Sequence, residues 1–239
     1  MKRIFSIREI GQTVIALLLI FLCLLAGQWQ WNKGKARSQQ NAIITTNQTL
    51  PELPESELWR SPPTQIQWRN VQLQGHFLNN HQLLLRNRYF QGQYGFEVLT
   101  LLTTSHGMNY WLDRGWVKAG ANAQTPPQVP SPSVTTVSIR ARVRSDDISR
   151  QIEGTFFALP GSHKITTDLS HAQDVVAAPF YLDLLSGSDA GSQPLNQISL
   201  PELNNGPHFA YAIQWLAFAF LIVVGRILLF RETKRLPLI

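Results

Sequence analysis

Two long apolar runs lie near opposite ends of the chain and enclose a mainly polar middle. The first run, residues 10–31, has no charged side chain, and the second, residues 209–230, has Arg226 alone. Each run is as long as the roughly 20 apolar residues with which a helix crosses a bilayer. The pattern therefore predicts two transmembrane helices, over residues 10–31 and 208–230, with Arg226 extending its long side chain to the membrane surface.

The first run also fits a cleaved signal peptide, because a basic start precedes it. Its apolar stretch is long for such a peptide, however, and Leu24, Leu25 and Ala26 make a poor cleavage site. Trp29 and Trp31 close the run, at the position where aromatic residues concentrate at a membrane interface. We therefore expect this segment to remain as an anchoring helix.

The charge pattern predicts the orientation of the two helices. The formal net charge is +6, and most of the positive excess lies at the ends of the chain. This argues against a nucleic-acid partner, which needs a basic folded face. Since Lys and Arg favour the cytoplasmic side, residues 1–9 and 231–239 are expected in the cytoplasm. Residues 32–207 then form a periplasmic domain, because long domains translocate largely regardless of charge.

The start of the chain also bears on location. The residues before the first apolar run are too few for a mitochondrial transit peptide. The expected location is therefore the cell inner membrane of a bacterium, with the protein in contact with the lipid bilayer.

The middle of the chain alternates apolar and polar residues between turn-forming residues, which is typical of half-buried β-strands. We predict strands over residues 65–77, 82–89, 95–103, 108–117, 134–144 and 180–185. Residues 38–65 are interpreted as a loose lead-in with a short helix at 55–59, and another short helix is predicted at 168–176. The expected fold is an α+β membrane protein: two transmembrane helices flank a mainly antiparallel-β extracytoplasmic domain, for which a partly closed barrel is one arrangement of the strands.

Three arginines, Arg140, Arg142 and Arg144, fall on one face of the predicted strand 134–144. A solvated strand face explains them most simply. The alternative is a surface for acidic partners or for haem propionates.

The sequence lacks the residues for several kinds of chemistry. Cys23 is the only cysteine, so the chain has no internal disulfide and no cysteine-based zinc or copper site. Motifs for nucleotide binding, for zinc proteases, for c-type haem attachment and for a hydrolase nucleophile are missing. We therefore expect a protein that is not an enzyme.

No two of the six histidines have the spacing of metal ligands on a predicted helix. Five of them lie in the polar middle and are expected at the surface: His76, His81, His106, His163 and His171.

His208 differs because it begins the second apolar run, where helical spacing places it on one face with Tyr211 and Trp215. The simplest interpretation is an interfacial anchor. The alternative is an axial ligand for haem, with Tyr211 and Trp215 beside it. Small residues on both runs predict close packing of the two helices: Cys23 and Gly27 on the first, Ala212 and Ala219 on the second.

Several segments resemble, in order, motifs of the Surfeit-locus protein 1 family. Gly27, Trp29 and Gln30, followed by two lysines, are similar to the GxWQ stretch that ends the first helix of that family. Gly75 fits a strand that ends in G-x-F. Residues 92–100, which include Gly95, resemble the family's hairpin motif G-x-x-G-[FY]-x-V-x-T.

Two further segments extend the resemblance. The sequence DRGWV matches the signature N-R-G-W-[VI] through Arg114, Gly115 and Trp116, with Asp113 in place of Asn. Residues 204–215 resemble the closing motif N-N-x-x-H-x-x-Y-A-x-x-W, which contains His208, Tyr211 and Trp215. Leu101 departs from the family, which commonly has Pro there, and residues 119–195 carry little resemblance.

This resemblance implies an assembly factor for haem–copper terminal oxidases, mainly cytochrome c oxidase of the respiratory chain. It implies that the protein helps to place haem a in the catalytic subunit and binds the haem transiently through His208. The implied partners are that subunit and haem a synthesis or other assembly factors. The alternative is a two-helix, membrane-anchored extracytoplasmic scaffold or sensor module without haem. For Arg114 the simplest interpretation is structural, with its side chain paired to Glu97 or Asp113 across the hairpin.

Overall fold

The computed structural model describes residues 7–120, 127–144, 175–196 and 198–235. The chain divides into two compact units. One comprises Met1–Ala42 with Glu202–Ile239, and the other is Ile43–Pro201. The predicted helix at 168–176 falls mostly outside the described residues.

The first unit is a pair of long helices, α1 (Ile7–Thr49) and α4 (His208–Arg235). Both are long and apolar enough to cross a membrane. The two apolar runs of the sequence therefore form two candidate membrane-spanning helices at either end of the chain, as predicted.

α1 runs further than the sequence predicted, since it continues to Thr49 through the supposed loose lead-in. The stretch after residue 37 has no glycine or proline to stop a helix before Pro51. Its last turns are anchored within the second unit. Ile44 is 2% exposed, and Asn47 donates to the carbonyl oxygen of Gln67 at 2.8 Å.

The second unit is a closed five-stranded barrel with the strand order β1-β2-β3-β5-β4. Its strands are β1 (Asn70–Phe90), β2 (Gln93–Thr104), β3 (Asn109–Lys118), β4 (Val137–Arg144) and β5 (Tyr181–Gly187). All neighbouring pairs are antiparallel except β3 and β5, which are parallel. The mainly antiparallel-β domain is thus confirmed. Two short helices, α2 (Glu55–Arg60) and α3 (Pro63–Ile66), precede β1.

β1 explains how the barrel closes. Its first residues pair with β4, and the rest of the strand pairs with β2. The sequence predicted two strands here, with a turn at Asn79 and Asn80. The structure instead has one long strand, whose register with β2 shifts between Leu78 and Gln82. A register shift accommodates extra residues without ending the strand, which is why turn-forming residues were misleading here.

Apolar side chains fill both faces of these strands. Tyr110 and Leu112 belong to the main core cluster, whereas Trp111, between them, belongs to a second cluster with Leu99 and Leu101. Alternate residues of a strand point to opposite faces. The second cluster therefore covers the other face of β2 and β3, and both faces of this part of the barrel are buried.

Candidate functional sites

Small residues line the contact between α1 and α4. Cys23, Ala212 and Ala219 are all buried. A β-carbon added to Gly27 would lie 3.5 Å from the carbonyl oxygen of Ala212, and one added to Gly34 would lie 2.9 Å from the Phe209 ring. The close helix packing expected from these small residues is therefore present.

His208 begins α4, and its half-buried side chain turns toward α1. Its Nδ1 lies 3.0 Å from Oε1 of Gln30. Gly206 precedes it with a φ of 60°, and the backbone N–H of Gly206 bonds to the side-chain oxygen of Asn204 at 3.2 Å. This turn sets the direction in which His208 enters the helix pair.

Tyr211 and Trp215 follow His208 on successive turns but differ in exposure. Tyr211 is 46% exposed. Trp215 is half-buried, and its Cβ lies beside Gly27. His208 and Trp215 therefore contact α1, while Tyr211 is on the flank of the pair.

The imidazole of His208 is the group with which this site could bind a metal. The described residues contain no group of three or more His, Cys, Asp or Glu side chains that could hold a metal ion. A haem iron already has four ring nitrogens and needs only axial ligands from protein. His208 thus fits a haem better than it fits a bare ion.

The two tryptophans at the end of the first apolar run face different surroundings. Trp29 is 58% exposed, and the Lys33 ammonium lies 5.9 Å from its ring centre. Trp31 makes an edge contact with Phe209, with ring centroids 5.1 Å apart. Of the family-like residues here, Gly27 and Gln30 therefore contact α4, and Trp29 does not bury its ring.

Arg226 does not simply extend to the surface, as its position in the sequence suggested. Its guanidinium donates to the Thr13 hydroxyl at 2.8 and 3.2 Å and to the carbonyl oxygen of Glu9 at 3.1 Å. The Arg226 side chain of α4 is therefore hydrogen-bonded to α1.

In the barrel, the segment Arg114–Trp116 sits at a register shift between β2 and β3. The prediction that Arg114 pairs with Glu97 or Asp113 is wrong, because Glu97 pairs with Arg88 at 2.7 Å. Arg114 is 1% exposed and packs over the Phe77 ring at 5.8 Å. Burial lowers its pKa to about 10, so it remains cationic at neutral pH. No described residue accepts a hydrogen bond from its Nε or Nη1.

Glycines make room for this segment. Gly115 has a φ of 107°, and a β-carbon there would lie 2.8 Å from the carbonyl oxygen of Asn196. Asn196 in turn donates to the carbonyl oxygen of Trp116 at 2.6 Å. A β-carbon on Gly95 would overlap the Trp116 ring. The backbone of Asn196 leaves no room for a side chain at Gly115, and the ring of Trp116 leaves none at Gly95. These contacts explain why glycine stands at both positions of the family motifs.

A cavity of about 270 Å³ lies on the barrel surface beside Trp116. Charged side chains from every strand line it, including Arg88, Glu97, Asp113, Arg144 and Asp183. This polar cluster was not predicted. The signal for it was Asp183, a lone acid inside the apolar strand FYLDLL.

Asp183 is the centre of that cluster. It is 1% exposed, and its Oδ2 accepts from Arg142 at 2.6 and 3.0 Å and from Arg144 at 3.1 Å. The solvated face expected for three arginines is therefore wrong for these two, which are buried. Arg140 is exposed and pairs with Glu52 at 2.7 Å.

Asp113 is 3% exposed and pairs in register with Asp183 across the parallel strands. Burial raises the pKa of Asp113 well above its ordinary value, and the charges of Glu97 and Asp183 raise it further. Its Oδ1 accepts the backbone N–H of Gly115 at 2.8 Å. Burial therefore favours the protonated form of the Asp113 carboxyl.

The other histidines show no shared site within the described chain. His76 is exposed, and His81 is half-buried. His106 is exposed and lies 2.7 Å from a carboxylate oxygen of Glu55. His163 and His171 lie outside the described residues.

Comparison with known proteins extends over most of the chain. The model of the SURF1 family matches residues 17–220. Proteins named as uncharacterized SURF1-like proteins, from Mycobacterium bovis and from two strains of Mycobacterium tuberculosis, are 29% identical over 236 residues. The match covers 94% of this chain and 85% of each relative.

Proposed function

The chain belongs to the SURF1 (Surfeit-locus protein 1) family, whose members are known in general as oxidase assembly factors, and we propose that it assists the maturation of a haem–copper terminal oxidase. The family match over residues 17–220 carries this proposal, since it includes both apolar helices and the barrel between them. The partner is the catalytic subunit of cytochrome c oxidase, which the protein contacts while that subunit is being completed.

The protein acts on haem a before or during its insertion into that subunit. His208 would hold the haem through its imidazole, and the haem would supply the iron that this nitrogen binds. The half-buried ring of His208 at the start of α4 supports this role, as does the flanking Tyr211, whose exposed ring offers a flat apolar surface. Trp215, packed beside Gly27, holds α4 against α1 below the histidine.

The role is one of binding and transfer rather than catalysis. SURF1 is a family of assembly factors and not of enzymes. Four of the charged residues that line the barrel cavity take part in ion pairs: Arg88 with Glu97, and Asp183 with Arg144 and also with Arg142. These pairs give the side chains a structural role, and in our proposal the chemistry on haem a belongs to other proteins, including those of haem a synthesis.

A haem spectrum tests the proposal. The full chain is purified in detergent from cells that make haem a, beside His208→Ala and the control His106→Ala, which removes an exposed barrel histidine. We expect a bound haem in the wild type and in the control, and its loss in His208→Ala.

The same strains report on assembly. Deletion of the gene should lower oxidase activity while the oxidase subunits are still synthesised, and the wild-type chain should restore it. Full oxidase activity in the deletion strain would reject the assembly role. Absence of haem from every variant, with the deletion phenotype intact, would instead favour a scaffold that acts by protein contact.

A further inference from the structure

Gln30 lies on the face of α1 that contacts α4. It stands three residues after Gly27 and four before Gly34, and both glycines lie against α4. Residues at this spacing share one helix face. The Gln30 side chain therefore extends into the contact, where its Oε1 lies 3.0 Å from Nδ1 of His208. This is an ordinary hydrogen-bond length.

The chemistry of the two groups fixes the direction of this hydrogen bond. An amide oxygen accepts and does not donate. Nδ1 of His208 must therefore carry the proton that lies between them. A neutral imidazole has one N–H, so Nε2 then keeps its lone pair, which is the form that binds a metal.

The surroundings leave this nitrogen open. Nε2 of His208 makes no hydrogen bond to any residue that the structure describes. A β-carbon added to Gly206 would lie 3.6 Å from Nε2, so glycine at this position leaves that side of the ring uncovered. The ring is thus held at Nδ1 and free at Nε2.

Other contacts already hold the two helices together. Arg37 donates to the carbonyl oxygens of Glu202 and Asn204 at 3.2 Å, and Arg226 bonds to Thr13 near the other end. The Gln30 contact is therefore one of several that join α1 to α4 and to the segment just before it. Its distinctive effect is on the protonation of the imidazole.

We propose that Gln30 is a positioning residue for His208: its amide oxygen keeps the imidazole proton on Nδ1 and presents Nε2 to a haem iron. The proposal rests on the haem role of His208 given above. Metal-binding histidines commonly donate their second N–H to such an acceptor, and loss of the acceptor typically weakens metal binding by about 10–100-fold.

The first experiment needs no haem. The full chain, labelled with ¹⁵N-histidine and held in detergent micelles, is examined by NMR for the protonation of each ring nitrogen, with His208→Ala to assign the signal. Wild type and Gln30→Glu, which keeps an acceptor, should show the proton on Nδ1. Gln30→Leu should move a substantial share of it to Nε2. The matched control is Gln28→Leu, because Gln28 bonds along its own helix to Asn32.

The second experiment titrates the same proteins with haemin. Gln30→Leu should bind it about 10–100-fold more weakly than wild type, while Gln28→Leu should match wild type. In Gln30→Glu the bound haem should have a lower reduction potential than in wild type, because a carboxylate bonded to Nδ1 makes the imidazole a stronger electron donor.

The outcomes separate this proposal from the haem role itself. An unchanged proton position in Gln30→Leu, or equal haemin affinity, overturns the role of Gln30 even if His208 binds haem. Wild-type protein that binds no haemin overturns the haem role of His208, and with it the presentation of Nε2 to iron. A merely structural Gln30 would change neither the proton position nor the potential.

Discussion

Asp113 and Asp183 are register partners on parallel strands, yet their carboxyl groups have different surroundings. Asp183 accepts hydrogen bonds from the guanidinium groups of Arg142 and Arg144. Asp113 has no described ion pair, and burial raises its pKa. Oδ1 of Asp183 has no hydrogen-bond partner among the described residues. A protonated Asp113 resembles the Asn that stands at this position of the family signature, because both side chains are neutral and can donate a hydrogen bond.

This difference predicts opposite effects of two similar substitutions. A carboxyl whose pKa is raised on folding favours the folded state at low pH, and this stability is lost as pH rises from the unfolded value of about 3.9 toward the folded pKa. The Asp113→Asn variant has no carboxyl at this position and therefore does not lose stability over this pH range. We expect its melting temperature, relative to wild type, to rise between mildly acidic and neutral pH, as measured by thermal unfolding in detergent.

Asp183→Asn provides the contrast. It leaves two buried guanidinium groups without their carboxylate, and removal of one member of a buried ion pair typically costs about 3–5 kcal/mol. The protein should therefore unfold at a much lower temperature at neutral pH. If Asp113→Asn destabilised the protein as strongly as Asp183→Asn, the assignment of the proton to Asp113 would be wrong.

The single residues of the signature were predicted from the sequence, but their partners were not. Arg114 was recognised as part of a hairpin, and Glu97 and Asp113 were the acids near it in sequence. The register shift between β2 and β3 places Arg114 over Phe77 and gives Glu97 to Arg88. A register shift depends on the whole sheet, so the local sequence contains no reliable signal for it.

Among the elements, the two apolar helices were the most predictable. The full length of α1, however, could not be predicted from its sequence. Length and the absence of charge were enough to locate both helices. The polar extension of α1 to Thr49 was missed because tertiary structure stabilises it: Ile44 is buried, and Asn47 bonds to Gln67, 20 residues further along the chain. Helix propensity alone is a weak guide to such a segment.

The contact of Arg226 with Thr13 gives a prediction for the helix pair. Thr13→Val keeps the shape of the side chain but removes the hydroxyl that accepts from Arg226. Polar contacts between membrane helices are worth about 0.6–1.7 kcal/mol. We expect a coupling energy of this size in a double-mutant cycle of Thr13→Val and Arg226→Met.

The cycle is measured as the free energy of unfolding of the full chain in bicelles. Thr233→Val serves as the control, because its hydroxyl bonds to Leu229 within α4 and not to α1. If Arg226→Met coupled to Thr233→Val as strongly as it couples to Thr13→Val, the coupling would not be specific to the contact with α1. The hydrogen bond between Arg226 and Thr13 would then not stabilise the helix pair.

For the whole molecule, the orientation across the membrane is a prediction that labelling can test. In a background where Cys23 is replaced by Ser, a cysteine at Val134, which is 83% exposed, marks the barrel unit. A cysteine at Glu232 marks the end of α4. A membrane-impermeant maleimide should label the first in cells with a permeabilised outer membrane, and the second only after lysis. The reverse pattern would place the barrel in the cytoplasm.

Sequence reasoning reached the class of the fold and the family but not the closed topology. Alternation located β2 and β3 well, because their turns are short and their ends are marked by glycine. It did not indicate that β5 inserts beside β3 in parallel, since β5 lies within residues 119–195, which carry little resemblance to the family. The polar cluster depends on that insertion, because it brings Asp183 to Asp113.

Closure of the barrel restricts how any partner can attach to this unit. β1 pairs with both β2 and β4, so each of the five described strands has a neighbour on either side. Among the described strands, only residues 70–75 of β1 pair with β4, and residues 76–90 pair with β2 alone. Addition of a strand by a newly made polypeptide would therefore be confined to partial edges such as this one. Contact elsewhere on the barrel would use side chains or loops, and release from such a contact breaks no backbone ladder.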